Sequence, residues 1–374
     1  MKNFIAGKQI AQKNYKSFQP ENINRQWYFD DMELLSLLSK ADRQIGRLDM
    51  YSEYIPNIDL FISLHVVKEA IQSSKIEGTK TQIEEALLEK EDISQEKRDD
   101  WDEVQNYISS LYSAIDNLSK IPFSSRLIKE THNTLLQKVR GMNKMPGEFR
   151  TSQNWIGGAS INDATFIPPH WETVDELMSD LEKFVHNEQI KIPELLKIAI
   201  IHYQFETIHP FLDGNGRVGR LLITLYLVDK GILKLPILYL SDFFEKNRTL
   251  YYDNLTRVRE KNDINQWLKF FLVGVLETAK KGIDTFDRIL KLKAEVDEKL
   301  REMGSRAANA QKLIDAMYTH PLVDANRVQS ITGLSKPTVY KLLDDMVKSE
   351  ILVEREIVTR NKTYVFEGYL GLFK

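Results

Sequence analysis

Residues 209–220 read His-Pro-Phe-Leu-Asp-Gly-Asn-Gly-Arg-Val-Gly-Arg, and their flanks set the fold expected around them. Upstream, Leu195, Leu196, Ala199, Ile200 and Tyr203 recur at helical spacing. Downstream, Val218, Leu221, Leu222, Leu225, Tyr226 and Val228 do the same, with Gly231 as a stop. The segment therefore reads as a loop that opens a second buried helix, with Phe211 packed inward. A helix start exposes unpaired N–H groups and the positive end of the dipole, which together favour an anion. His209 can accept a proton. Asp213 can hold a hard cation through oxygen. Gly214 and Gly216 allow the backbone to approach phosphate closely. Arg217 and Arg220, three residues apart, share a helix face and can neutralise phosphate oxygens. A glycine-containing turn between core helices explains the apolar flanks but not this crowd of polar groups. The collection suits in-line attack on a magnesium-bound nucleotide. No G-x-x-x-x-G-K-[ST] segment occurs, so a P-loop is not expected.

Position for position, the segment resembles the signature of the Fic family, H-x-F-x-D/E-G-N-G-R-x-x-R. The resemblance implies transfer of AMP from ATP to a hydroxyl of a protein. It implies that His209 deprotonates that hydroxyl and that Asp213 binds Mg²⁺. Asn215, with the amides of Gly214 and Gly216, would hold the region of the α-phosphate, and Arg217 and Arg220 the β- and γ-phosphates. Family members often place a later tyrosine near adenine. Tyr251 and Tyr252 are the candidates here, with core packing as the alternative fate of such a pair.

Residues 146–169 resemble the substrate-docking flap of the same family. Gln153–Ile156, which includes Trp155, looks extended. Gly157-Gly158 is a turn signal, and Phe166-Ile167 would return before Pro168-Pro169. Trp155, Ile156 and Gly157 are thus expected on a hairpin whose edge pairs with an extended target segment. An ordinary surface hairpin is the alternative.

From Leu60 to Ile76 apolar residues again recur at helical spacing, and Gly78 is a natural stop. Thr81 and Glu84 would form a capping box for the next helix. Glu77 then sits at the negative end of a helix dipole, which costs a few tenths of a kcal/mol. The run from Ser73 through Glu77 to Gly78 resembles the family's inhibitory motif, [ST]-x-x-x-E-[GN]. That resemblance implies a pair between Glu77 and Arg220 that blocks the γ-phosphate position. A further option is that Glu77 activates water to remove AMP from a modified target, and the sequence leaves both roles open.

The chain has 374 residues, 42% of them apolar, a formal net charge of −3 and no cysteine. Disulfides and thiolate zinc are thereby excluded, and no general pull toward nucleic acid or membrane is expected. No run resembles a signal peptide or a membrane span, so a cytoplasmic protein is expected. The expected class is mainly α: a Fic helical fold with a small β-hairpin flap, plus a C-terminal winged helix-turn-helix domain. The expected divisions are a helical region over 1–110 with the inhibitory helix, a catalytic core over 111–280, a linker helix over 281–304 and the winged domain over 305–374. Residues 1–30 look polar and irregular, an arm lying on the body. A helix led by Asn247 is expected to run on through Trp267 and Phe270.

In the last domain, Ala325–Ile331 and the helix after Ser335 form the helix-turn-helix, and two strands flank Thr359–Lys362. Lys336, Thr338, Tyr340 and Lys341 would be exposed on the second helix, with Arg360 and Lys362 on the wing. Ten basic against eight acidic residues in this segment make a weak phosphate footprint. DNA binding is therefore ranked below a protein-contact or dimerisation role. A protein substrate, self-modification and a homodimer are all compatible with the sequence. Two rival functions remain: AMP removal or another nucleotidyl or phosphoryl transfer on the same scaffold, and a DNA-bound regulator with a nucleotide-sensing body.

Overall fold

The computed structural model describes residues 4–54, 58–358 and 361–374. It starts with an antiparallel hairpin, β1 (Gly7–Ala11) and β2 (Lys16–Pro20), with Gly7 opposite Pro20 and Ala11 opposite Lys16. Helices α1 (Met32–Tyr54), α2 (Ile58–Ile76), α3 (Ile83–Ala86), α4 (Arg98–Leu118), α5 (Ser125–Leu135) and α6 (Val174–His186) follow. Next come α7 (Glu194–Ile208), α8 (Asn215–Asp229), α9 (Ser241–Lys246), α10 (Arg248–Lys261) and α11 (Ile264–Glu302). The chain ends with α12 (Ala307–Thr319), β3 (Leu322–Val323), α13 (Ala325–Thr332), α14 (Lys336–Lys348), β4 (Val353–Val358), β5 (Asn361–Val365) and α15 (Glu367–Leu370).

The core is centred on α7 and α8. Every residue from Leu195 to Ile208 is buried, as is every residue from Val218 to Leu227. A helix that is apolar all round must be covered on all sides, and the surrounding helices supply that cover. Trp267 of α11, wholly buried, donates its indole N–H to the Ala199 carbonyl at 2.8 Å. Gly282 lets α1 lie close against α11, since a β-carbon there would meet Leu48 at 3.0 Å.

Four local expectations are corrected. The arm expected over residues 1–30 lies on the body but is not irregular throughout, since 7–11 and 16–20 form strands. Two strands form there because long-range contacts hold them: Ala6 N–H to Asn262 Oδ1 at 2.8 Å and Phe18 N–H to the Ile167 carbonyl at 2.9 Å. The helix expected through Trp267 is two helices. Asn262 breaks it in a left-handed conformation (φ 56°), which asparagine tolerates, and Asp263 caps α11. The box expected at Thr81 and Glu84 sits one residue later, where Glu85 accepts the Gln82 N–H at 2.9 Å and Thr81 is buried instead. The flap is one antiparallel bridge, Ile156 to Phe166, rather than a two-stranded ladder. Gly157 (φ 71°) and Gly158 (φ 72°) both turn left-handed and take the chain off the strand path at once.

The expected division at residue 280 falls inside the single helix α11. Beyond it, β3, β5 and β4 form a three-stranded antiparallel sheet beside α12, α13 and α14. Lys336, Thr338, Tyr340 and Lys341 are exposed on α14. Lys362 is exposed and paired with Glu354 at 2.6 Å, and Arg360 lies outside the described residues. This unit rests on α2, with the Phe61 and Tyr318 rings 4.9 Å apart and the His65 and Phe373 rings 4.8 Å apart. No described helix is long and apolar enough to cross a membrane.

Candidate active site

The loop between α7 and α8 is fixed from below by its own backbone. His209 ends α7 in a left-handed conformation (φ 49°, ψ 61°), its N–H still bonded to the Phe205 carbonyl at 2.9 Å. Such a conformation costs a β-carbon-bearing residue about 1–2 kcal/mol, so neighbours must enforce it. Arg150, 2% exposed, donates to the carbonyls of His209 (3.0 Å), Pro169 (2.6 Å), Ile208 (3.3 Å) and Ser152 (3.3 Å). Asn154 donates to His209 and Phe211. Phe211 is fully buried and stacks on His132 at 3.7 Å. His132 accepts the Gly147 N–H and donates to the Asp213 carbonyl at 3.0 Å. Burial, the largest influence on it, lowers its pKa to about 4, so it is neutral and suited to both roles.

Both ends of the Asn215 side-chain amide are anchored on this loop, leaving one side-chain N–H beside the backbone amide. Its Oδ1 accepts the Phe211 N–H and its Nδ2 donates to the Phe211 carbonyl, both at 2.8 Å. Gly214 (φ 75°) makes the left-handed step into α8, and the first turn of α8 then presents its free amides.

One cleft of about 460 Å³ gathers His209, Asp213, Gly214, Asn215, Gly216, Arg217, Arg220, Tyr251, Tyr252, Glu77, Trp155, Ile156 and Gly157. Ser73 and Gly78 do not line it. Ser73 lies buried behind Arg220, and Gly78 (φ 109°) turns the chain out of α2. Trp155 and Tyr252 are partly exposed, whereas Tyr251 is buried and its hydroxyl bonds His202 Nε2 at 2.9 Å.

Two charge pairs dominate the cleft. Arg220 bonds Glu77 Oε1 at 2.7 Å, Ser73 Oγ at 2.9 Å and the Ser73 carbonyl at 2.8 Å. Burial pushes the Glu77 carboxyl up, but the Arg220 guanidinium outweighs it and holds Glu77 below the ordinary carboxylate range. Arg217 is held by Glu103 at 3.1 Å, and Glu103 also pairs with Arg140 at 2.6 Å. The His209 imidazole is driven to a pKa of about 3 by burial, then by Arg150 and Arg259, and its Nδ1 has no partner. It is therefore neutral and free to accept a proton. Glu206, also buried with Oε1 unpartnered, is raised to about 7 by desolvation.

Asp213 is the one carboxylate of the signature loop, partly exposed, with Oδ1 accepting the Gly214 N–H at 2.6 Å. No cluster of three or more His, Cys, Asp or Glu suited to a metal exists among the described residues. A single carboxylate fits Mg²⁺, which keeps its waters and takes remaining ligands from nucleotide phosphates.

Reading by motif missed Arg150, Glu103, Arg140 and Glu206. Glu206 lies three residues before His209 on an otherwise apolar stretch, and a buried acid there was the available signal. The other three reach the site only through folding.

Residues 35–116 match the Fic/DOC family N-terminal region and residues 122–227 the Fic/DOC family domain. Protein adenylyltransferase Fic of Drosophila erecta is 26% identical over 200 residues, half of this chain and 36% of that protein. The Aedes aegypti protein of the same name is 33% identical over 144 residues, 38% of this chain and 26% of that one. The chain thus matches about a third or less of the length of these relatives. A Fic family protein from Desulfovibrio desulfuricans G20 shares the fold, with a TM-score of 0.58 at 20% identity over 91% of this chain and 98% of that one. The chain accordingly carries the N-terminal domain and the Fic domain of the Fic/DOC family.

Proposed function

We propose that this chain is a protein adenylyltransferase. The observation that carries this reading is the convergence of His209, Asp213, the first turn of α8, Arg217 and Arg220 on one cleft. A target Ser, Thr or Tyr hydroxyl gives its proton to the neutral His209, and its oxygen bonds to the α-phosphorus of ATP. The bond from that phosphorus to the bridging oxygen of the β-phosphate breaks, and pyrophosphate leaves. The amides of Gly216 and its neighbours orient the α-phosphate, and Arg217 and Arg220 neutralise the outer phosphates. Mg²⁺, held by Asp213 and the phosphates, supplies charge neutralisation. The triphosphate's negative charge raises the His209 pKa from its resting value, which makes it a better base. Trp155, Ile156 and Gly157 at the mouth of the cleft dock an extended target segment, and Tyr252 flanks adenine with Tyr251 behind it.

Glu77 is read as a brake in cis. While it occupies Arg220, the γ-phosphate meets a carboxylate and lacks its cation, so the α-phosphate is badly presented. The 2.7 Å pair supports this reading. The parts are an N-terminal region over 1–110 with the inhibitory helix, a core over 111–280, a connecting helix over 281–304 that continues α11, and a winged helix-turn-helix over 305–374. A protein-contact or dimerisation role suits the last part better than DNA, because Lys362 is neutralised by Glu354 and Asp344 is exposed on α14. Intact-mass spectrometry after incubation with ATP and Mg²⁺ tests the whole reading. An added AMP on the chain or on a lysate protein, lost in His209→Ala, supports it. An added phosphate, or no adduct even in Glu77→Gly, overturns it.

A further inference from the structure

Helix α2, which ends one residue before Glu77, also lines a second cavity, of about 220 Å³, with its stripe His65, Lys68, Glu69 and Gln72. Its other walls come from α9, α11, the connector at Tyr239 and the last residues of the chain.

Positive charge is undercompensated around Asp242, where three lysines meet one carboxylate. Asp242 is bonded by Lys246 at 3.0 Å and by Lys281 at 2.6 Å. Lys68 is a third ammonium in the same group, facing Lys281, with Asp242 already shared. Burial, then Lys281, lowers the Lys68 pKa to about 8, the mark of a cation short of an anion. Glu69 is not among the charges that act on Lys68; its carboxylate is turned to Tyr107 and Ser241, which donate to it. Glu277 is the remaining acid on the wall.

Polar atoms are also left over. The Tyr239 hydroxyl, on a residue 8% exposed, has no partner, and neither do Gln72 Oε1 and His65 Nε2. Buried polar groups are nearly always paired, so three in one cavity call for a partner. The rest of the wall is apolar, with Phe243 and Phe373 the largest surfaces. Apolar walls with a few convergent polar groups characterise small-molecule sites.

We propose that this cavity is a second ligand site, for a small organic acid whose phosphate or carboxylate head lies between Lys68 and Lys281 and whose apolar body lies against Phe243 and Phe373. A bound molecule ties α2 to α9, α11 and the end of the chain.

The test uses the full chain, with phenyl phosphate and benzoate as probes and benzyl alcohol as the neutral control, followed by isothermal titration and amide hydrogen exchange. At least one anionic probe is expected to bind saturably and to slow exchange across α2, while benzyl alcohol does not. Lys68→Met keeps the side-chain bulk and is expected to weaken that binding at least about tenfold. Lys281→Met serves as the second variant if the first does not fold. Preference for phenyl phosphate identifies a phosphate ester as the natural class, and preference for benzoate a carboxylic acid. No binding of either probe overturns the proposal. Binding unaffected by the lysine variants, or binding displaced by ATP, also overturns it.

Discussion

A β-carbon on Gly216 would stand 2.3 Å from Glu77 Oε1 and 2.9 Å from Arg220 Nη1. The carboxylate just past the end of α2 thus fills the space that a missing side chain leaves on the first turn of α8. On the proposed reading, the missing side chain both exposes an amide to phosphate and makes room for the glutamate.

Gly216→Ala therefore expels Glu77. The backbone at Gly216 is helical, so the methyl adds no strain of its own. The same methyl crowds Arg220 and the approach of phosphate to the Gly216 amide, so AMP transfer is expected to fall in Gly216→Ala and to stay low when Glu77→Gly is added. Recovery of transfer in the double variant would show that the methyl acts only through the glutamate. Initial rates at matched ATP and Mg²⁺ measure this.

Removing the carboxylate directly has the opposite effect. Glu77→Gly is expected to speed transfer by up to about a hundredfold, the scale of correcting a misplaced reacting group. Glu77→Gln keeps the shape and one hydrogen bond, so its gain is smaller. Equal rates for wild type and Glu77→Gly would remove the brake from the mechanism.

Arg150 is a support rather than a ligand. Arg150→Met removes four hydrogen bonds to backbone carbonyls, although Asn154 still donates to that of His209. A loss of at least about 2 kcal/mol in urea unfolding is expected, together with reduced transfer because His209 loses its enforced backbone.

Glu206 predicts a pH effect of definite sign. Its carboxyl titrates at 4.5 when free and at about 7 in the fold, so the folded state holds its proton over a range where the unfolded state has lost it. Stability from this group is full below about 4.5, falls as pH rises toward 7 and then levels off. Glu206→Gln is expected to exceed wild type by about 1–3 kcal/mol at pH 8 and to match it near pH 4. Urea midpoints at the two pH values check this, with the buried histidines cancelling in the comparison.

Where a segment's structure followed from its own residues, it was legible. The apolar periodicity around α7, α8 and α14 marked those helices, and the spacing of Arg217 and Arg220 put both on one face. The β1–β2 hairpin was not legible, because its pairing is held by Asn262 and Ile167, far along the chain. Nor was the single bridge of the flap, since turn residues mark a reversal without stating how many strand pairs survive it.

The sequence alone determined which groups could do chemistry here, because a histidine, an acid, glycines and arginines within twelve residues need no distant partner to be recognised. Tertiary structure alone decided how they are charged and restrained. Burial sets the His209 and Glu206 protonation states, Glu103 holds Arg217, and Arg150 fixes the loop. Each depends on what folding brings within a few ångströms, and Coulomb and hydrogen-bond energies are decided at that range.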